Sequence, residues 1–299
     1  MLSPRVKSHA ALAVAGLLFG ANYWIAKGLM PGFLTPMQII FIRGLASLLL
    51  FWLAALFVKP EHVRKSDHRN FIVAAALGVA INQIFFFTGL SYTSPVDTSL
   101  IHAASPLLVL LFSAMLMHEK ITSIRLAGIL TGGTGAVLLI LQAGSAQNSQ
   151  SSLAGNALIL ANITAYSLYL VKIKPMMMRY SAITVMKWIF LYGFLLVIPF
   201  SLPSMTRISF VHFTTQAWMA ITYVVVGTTF LAYLLTTFSL KAVSATVAGY
   251  YIYMQPVVAG VIGILFFGET VGPVKILAGA AVFTGIYLVN RRPVSKTDA

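Results

Sequence analysis

Five uncharged polar side chains fall near the middle of four long apolar segments in this 299-residue sequence: Asn82, Gln83, Ser105, Asn162 and Gln255. A polar side chain that faces lipid is costly, so such residues turn toward a bundle interior or a water-filled cavity. There they hydrogen-bond either a solute or a neighbouring helix, and for any one of them the two roles have equal weight. Their common depth in four segments favours a solute-binding site.

A second group of polar and aromatic residues lies further from the midplane and could line a path to that site. Its members are Asn22, His102, Tyr166, Tyr169, Tyr233 and Tyr253. A tyrosine in a cavity offers a flat apolar face together with a hydroxyl group, which suits amphipathic or aromatic solutes. Tyr250, near the end of its segment, fits the alternative role of a membrane-interface anchor.

Two prolines, Pro106 and Pro256, stand at the centres of corresponding apolar segments. Each removes a hydrogen bond within its helix and introduces a bend. The bend is either a static kink or a hinge at which the helix changes shape during transport. The sequence gives both alternatives equal weight.

Three charged residues lie inside or beside the apolar segments. Arg43 and Lys187 are approximate counterparts, and structural roles are favoured for both, either reaching to the membrane interface or bonding helix-end carbonyls. Asp97 follows Ser94 and Pro95, so it either caps a helix or pairs with Arg43.

Proton coupling has little support in the sequence. A proton relay uses buried Asp, Glu or His side chains, and only Asp97 and His102 qualify here, five residues apart and therefore not on one helical face. Exchange without an ion and coupling through His102 alone remain open. Glu119 and Glu269 end their helices beside short loops and are expected to fix loop geometry.

The elements that must position these residues are membrane helices. Hydrophobic residues make up 59 % of the chain and charged residues 9 %, more apolar than a water-soluble domain requires. Breaks at proline, glycine and polar clusters predict an all-α polytopic membrane protein. The first segment is long enough for a full span, which favours a membrane helix over a cleaved signal peptide. The ten predicted spans are 8–29, 36–57, 70–90, 95–117, 121–141, 153–171, 182–201, 213–238, 245–267 and 271–290.

The positive residues set the expected orientation. With a cytoplasmic N-terminus, 15 of the 20 lysines and arginines lie in cytoplasmic loops or tails, and two, Arg207 and Lys275, lie outside. Positive residues concentrate on the cytoplasmic side of membrane proteins, so both termini are expected there. The net charge of +14 is thereby assigned to membrane orientation and not to nucleic-acid binding.

The sequence repeats itself after 150 residues. The matched pairs are Pro106 with Pro256, Glu119 with Glu269, Thr134 with Thr284 and Gly135 with Gly285. Each unit contains five predicted spans, an odd number, so the second unit enters the membrane from the opposite side. Inverted repeats are the usual basis of alternating access in secondary transporters. We therefore expect two repeats, residues 1–148 and 149–299.

The repeated pattern of a central proline, a helix-ending glutamate and a following Leu-Ala-Gly resembles the EamA domain of the drug/metabolite transporter superfamily. The segments FTGLSYTSPVDTSLIHAASP (87–106) and FGANYWIAKGLMPGFLTPMQIIFIRG (19–44) are similar to the corresponding parts of that domain. The resemblance implies ten helices in a bacterial inner membrane. It also implies export or exchange of small metabolites, such as amino acids, through a cavity lined mainly by helices 1, 3, 4, 6, 8 and 9.

The alternatives from other classes are a membrane enzyme and a channel. The chain lacks an HExxH zinc pair, a Walker A loop and any cysteine, which excludes several kinds of membrane enzyme. No ring of charge or carbonyl filter motif points to a channel. We expect a secondary transporter for neutral or zwitterionic amphipathic solutes, with no cofactor or metal; its partners would be the solute and membrane lipid. A monomer is compatible with the sequence.

Overall fold

The computed structural model describes residues 3–117, 122–141, 151–268 and 272–290. Throughout these ranges the regular structure is helical, with no β-strand. The helices are α1 (Pro4–Leu29), α2 (Pro36–Ala55), α3 (Asp67–Ser91), α4 (Pro95–His102 and Ser105–Met117), α5 (Ser123–Leu141), α6 (Leu153–Met177), α7 (Ala182–Met205), α8 (Thr215–Ser239), α9 (Ala245–Tyr250, Tyr251–Tyr253 and Met254–Phe267) and α10 (Pro273–Asn290).

Eight of these helices are long and apolar enough to cross a membrane, and α5 and α10 contribute shorter apolar stretches, Ser123–Leu139 and Pro273–Gly285. Large apolar side chains cover the outside of the bundle; Phe266, for example, is 77 % exposed. An apolar outer surface of this kind is suited to contact with the hydrocarbon core of a membrane. The all-α polytopic membrane fold predicted from the sequence is confirmed.

Most helix starts follow from local sequence. Ser3, Thr35 and Ser94 each accept a hydrogen bond from a backbone N–H of the first turn, and each precedes a proline at the start of its helix. These are favoured residues for the N-cap and the first helical position. Ser152 and Ser181 cap α6 and α7 in the same way.

Two helices, α6 and α7, continue well past the C-terminal ends predicted for them. α6 continues to Met177 instead of ending at 171, because Lys174 is not a loop residue: its ammonium group donates to the carbonyls of Leu240 and Val243. α7 continues to Met205 instead of 201, with Pro199 and Pro203 inside it. Prolines are tolerated in membrane helices, where neighbouring groups satisfy the freed carbonyls.

The two halves of the chain pack in equivalent ways. α5 lies along α10, and α2 lies along α7. α1 packs against α8 and α9, just as α6 packs against α3 and α4. This exchange of partners is the pattern expected when two five-helix units are related by a pseudo-twofold axis.

Local irregularities also recur at the 150-residue spacing. α3 contains a π-helical segment at Ala76–Ile81, and α8 contains one at Tyr223–Leu231. α4 is interrupted at 103–104, just before Pro106, and α9 tightens into a 3₁₀ turn at Tyr251–Tyr253, just before Pro256. Each proline therefore follows a local break in its helix.

A pair of lysines repeats this symmetry. The ammonium group of Lys27 donates to the carbonyls of Leu90, Ser91 and Thr93, at 2.8, 3.1 and 3.0 Å, where α3 ends. The ammonium group of Lys174 donates to the carbonyls of Leu240 and Val243 at the end of α8. This is the corresponding position in the second half, because these acceptors lie 150 residues after Leu90 and Thr93. Each half thus uses one lysine to satisfy helix-end carbonyls.

Candidate transport cavity

A polar cavity of about 60 Å³ lies inside the bundle between the two halves. A single water needs roughly 10–15 Å³ on this measure, so the cavity holds several waters or part of a small solute. The first half contributes residues from α1 to α4, and the second half contributes residues from α6, α8 and α9. The lining residues are Phe19, Asn22, Tyr23, Arg43, Asn82, Phe86, His102, Asn162, Tyr166, Thr228, Tyr233 and Gln255.

Apolar clusters lie on both sides of this cavity along the bundle axis. One contains Phe71, Ile173 and Phe190, near the lysine- and arginine-rich end of the bundle. The other contains Leu29, Leu34 and Val224, near the opposite end. Two small apolar spaces of about 10 Å³ each lie next to the cavity: one shares Arg43 with it, and the other shares Phe19, Tyr166 and Gln255.

Seven of the eleven residues proposed for the path line this cavity: Asn22, Asn82, His102, Asn162, Tyr166, Tyr233 and Gln255. Their positions in the sequence predicted their depth in the membrane. The packing of the helices brings their side chains together around one cavity. The aromatic residues Phe19, Tyr23 and Phe86 and the hydroxyl of Thr228 complete the wall. Nothing in the sequence distinguishes the two phenylalanines from lipid-facing ones.

Four other path candidates lie outside the cavity wall, although all four are partly or fully buried. Gln83 follows Asn82 and therefore points about 100° away around the helix. Ser105 accepts a hydrogen bond from the Ser167 hydroxyl through its carbonyl, at 3.1 Å. Tyr169 packs against Gly78, and Tyr253 packs on the rings of Tyr250 and Phe283.

Two tyrosine hydroxyls connect helices across the cavity. Tyr23 of α1 donates to the side-chain oxygen of Gln255 in α9, at 2.5 Å. Tyr233 of α8 lies 3.0 Å from the Gly78 carbonyl and 3.2 Å from the side-chain oxygen of Asn82. Gly78 belongs to the π-helical segment of α3, whose widened turn alters the regular hydrogen bonding of the helix.

Asn162 and His102 each have a side-chain atom in the described structure that is able to accept a hydrogen bond from a solute. The Nδ2 group of Asn162 donates to the Asn82 carbonyl at 2.7 Å, while its Oδ1 is enclosed with no hydrogen-bond partner in the described part of the chain. His102 Nδ1 lies 2.9 Å from the carbonyl of Thr98. Because a carbonyl only accepts, Nδ1 carries the proton and Nε2 of the neutral ring is an acceptor.

Arg43 lies at the cavity wall, in contrast to the interfacial or helix-capping position expected from the sequence. It is only 4 % exposed, and its guanidinium carbon lies 4.8 Å from the centre of the Phe87 ring. Among the described residues it makes no ion pair, and its Nε has no hydrogen-bond partner. A charged side chain facing inward is typical of functional positions in membrane proteins.

The remaining charged candidates lie elsewhere. Asp97 pairs with Lys275 at 2.7 Å instead of with Arg43, and it accepts a hydrogen bond from the Ser151 hydroxyl. Ser94, not Asp97, provides the side-chain cap of α4. Lys187 lies over the rings of Trp52 and Trp188, at 5.3 and 5.8 Å.

Glu119, Glu269 and the boundary between 148 and 149 lie outside the described residues. Within the described ranges, no group of three or more His, Asp or Glu side chains could hold a metal ion. The described side chains in the cavity wall are amides, hydroxyls, one imidazole, one guanidinium and aromatic rings.

Comparison with known proteins agrees with this architecture. The uncharacterized transporter YetK of Bacillus subtilis (strain 168) is 25 % identical over 293 residues, which cover 96 % of this chain and 88 % of YetK. A probable terminal-alkyne amino-acid exporter of Streptantibioticus cattleyicolor is 23 % identical over 245 residues, covering 81 % of this chain and 80 % of that protein. A crystal structure at 18 % identity shares the fold, with a TM-score of 0.66 over 96 % of this chain and 98 % of its own.

The sequence model of the EamA-like transporter family matches the chain twice, at residues 7–141 and 153–291. The two matches take in the helices of both halves. The chain belongs to the EamA-like transporter family, as its motifs indicated.

Proposed function

We propose that this membrane transporter moves a small polar or zwitterionic solute by alternating access through the cavity between its two halves. The observation that carries the proposal is the cavity inside the bundle, whose polar side chains come from both halves. In transporters built from inverted repeats, the substrate site lies near the midplane at the repeat interface. Hydrogen-bonding groups buried at such a site serve a solute that sheds its water.

Amino acids are the first solutes to test. The amides and hydroxyls of the wall suit polar groups, and Tyr23, Phe86 and Tyr166 offer apolar faces for a side chain. The similarity to a probable terminal-alkyne amino-acid exporter supports the same choice. We place the protein in a bacterial inner membrane, with both termini cytoplasmic and export or exchange as the direction of transport.

The movement itself requires parts of the bundle to change shape. Pro106 and Pro256 each follow an interruption of a cavity-bordering helix, and we assign them as hinges of α4 and α9. The repeats 1–148 and 149–299 would then exchange conformations. Proton coupling, if present, would use His102, the imidazole at the cavity wall.

The test is counterflow in proteoliposomes that contain only the purified protein, with a panel of labelled amino acids and with or without a pH gradient. Native protein should exchange at least one amino acid saturably. Gln255→Ala, which removes the acceptor for Tyr23, should lose most of this exchange. Gln83→Ala is the matched control, because Gln83 is a buried glutamine outside the cavity wall.

Stimulation of exchange by the gradient, lost in His102→Gln, would support coupling through His102. Equal rates with and without the gradient would support exchange without a proton. Failure of well-folded native protein to exchange any amino acid would contradict the proposed substrate class. Equal loss in both glutamine variants would contradict the assignment of Gln255 to the path.

A further inference from the structure

We infer that Arg43 binds the carboxylate of the transported solute, so that the cargo is a small molecule carrying a single carboxylate. The inference rests on the proposed transport function and deepens it by naming the group that the cavity recognises. It assigns to Arg43 a role different from the structural one that its sequence position favours.

Among the residues that the structure describes, the buried positive charge of Arg43 has no counter-charge. Of the six acidic residues in the chain, three lie in the described ranges, and each is engaged elsewhere: Asp97 with Lys275, Asp67 with Arg179, and Glu61 with the N-terminus of α7 at Ser181. The other three lie outside those ranges. An unpaired buried charge is strongly unfavourable, so a cavity that retains one is suited to an anionic ligand group.

The chemistry of arginine specifies the anion further. Its planar guanidinium matches a carboxylate through two parallel N–H···O bonds. Phosphate carries more charge and is commonly held by several cationic or backbone donors. Among the described residues that line this cavity, Arg43 is the one charged side chain apart from the titratable His102. One cation therefore points to a carboxylate and away from a phosphate.

Asn162 and His102, in the wall of the same cavity, suit a hydrogen-bond donor on the same solute. The Oδ1 atom of Asn162 is enclosed without a partner in the described part of the chain, and Asn162 lies beside His102. An ammonium group placed there would donate to Asn162 Oδ1 and to His102 Nε2. The rings of Phe19, Tyr23 and Phe86 also form part of the wall. A zwitterion with an apolar side chain meets all three requirements.

The experiment measures thermal stabilisation of the purified protein by matched probes. Alanine, leucine and phenylalanine are each tested beside the amine that lacks the carboxylate and the acid that lacks the amino group. A ligand that binds only the folded state raises the unfolding midpoint, and at a given concentration a tighter ligand raises it further. We expect stabilisation by at least one amino acid, weaker stabilisation by its deaminated acid, and none by its amine.

Variants of Arg43 assign the carboxylate to this residue. Arg43→Gln should raise the amino-acid concentration needed for a given midpoint shift about 30-fold or more, as expected for loss of one partner of a buried charge pair. Arg43→Lys keeps the charge without the planar fork, so it should retain a weakened response. Lys187→Gln, which removes a charge from the membrane part of α7 outside the cavity, should respond like the native protein.

Three results would overturn the inference: stabilisation by the amines equal to that by the amino acids, no response to any carboxylate, or an unchanged response in Arg43→Gln. If Arg43→Gln does not fold, an unchanged response in Arg43→Lys has the same meaning. If native protein exchanges amines saturably but does not exchange carboxylates, the transport function is supported and the proposed role of Arg43 is contradicted. Absence of counterflow with every solute would contradict the transport function itself.

Discussion

At the scale of single residues, this protein uses polar groups at two kinds of position. Asn82, Asn162 and Gln255 face the cavity, whereas Gln83 and Ser105, at similar depth, are packed between helices. Depth follows from counting along an apolar segment. Direction around the helix depends on which neighbours pack against it, so depth identified the candidates but not the subset of them that lines the cavity.

Tyr233→Phe tests the cavity network. The substitution removes a hydroxyl that bonds the Gly78 carbonyl and Asn82, leaving buried acceptors unpaired at a cost of about 1–3 kcal/mol. We expect exchange in proteoliposomes to slow about tenfold or more, because roughly 1.4 kcal/mol added to the barrier of the transport cycle corresponds to a factor of ten in rate. The control is Tyr253→Phe, because Tyr253 lies outside the cavity wall and its hydroxyl has no partner in the described part of the chain. Equal slowing in both variants would contradict this account.

Glu61 provides a pH-dependent contact outside the membrane helices. Its carboxylate accepts hydrogen bonds from the backbone N–H and the hydroxyl of Ser181, both at 2.9 Å, at the start of α7. Partial burial raises the pKa of Glu61, but hydrogen bonds from Thr184 and Ser181 and the charge of Lys241 outweigh it, so the pKa lies below the usual value of 4.5. A carboxylate at a helix N-terminus is also favoured by the helix dipole.

Because its folded-state pKa is lowered, the ionised Glu61 stabilises the fold above pH 4.5, and this contribution disappears as the pH falls through the folded-state pKa. Glu61→Gln should therefore unfold at a lower temperature than the native protein at pH 7. The difference between the two midpoints should narrow as the pH is lowered below 4.5. A difference that stays constant from pH 7 to the acid range would show that ionisation of Glu61 is not the cause.

At the scale of helices, the α5–α10 contact explains the glycine-rich sequence TGGTG at 131–135. A Cβ atom added to Gly135 would lie 2.6 Å from the carbonyl oxygen of Ala278 and 2.9 Å from the backbone nitrogen of Val282. Gly285 makes an equally close approach to Gly128 and Gly132. Close packing of membrane helices through small residues is common.

Gly135→Ala should separate these two helices and lower the free energy of unfolding by about 1–3 kcal/mol, as overpacking does. The backbone atoms that it meets cannot move as the end of a flexible side chain can. Gly133→Ala is the matched control two positions earlier, where an added Cβ meets nothing within 4 Å. Unfolding in detergent should distinguish the variants, and equal stability of the two would contradict the close contact.

Helix ends were harder to predict than helix centres. The sequence indicated a loop after 171 because lysines and a proline follow, yet the ammonium group of Lys174 finds carbonyl acceptors and α6 continues to Met177. The breaks before Pro106 and Pro256 were anticipated as bends. The π-helical segments of α3 and α8 were not predicted from the sequence; the first packs against α6 and α7, and the second against α1 and α2.

At the scale of the whole molecule, the duplicated sequence is reflected in duplicated packing. A motif shift of 150 residues predicted the two halves, and the exchanged contacts of α1 and α6 follow that pattern. The cavity lies between the two halves, and both halves contribute residues to its wall. Arg43 shows the limit of sequence reasoning: its depth was evident, but its burial against Phe87 and its position in the cavity wall required the assembled bundle.

The most direct test of alternating access uses the absence of cysteine from this chain. Thr228→Cys places a thiol in the cavity wall, and Ser201→Cys places one at a buried position outside it. Each variant is treated with a membrane-impermeant thiol reagent in right-side-out and in inside-out vesicles. We expect Thr228→Cys to react in both preparations and Ser201→Cys to react in neither. Reaction of Thr228→Cys from one face only, or from neither face, would contradict a cavity that opens in turn to both sides of the membrane.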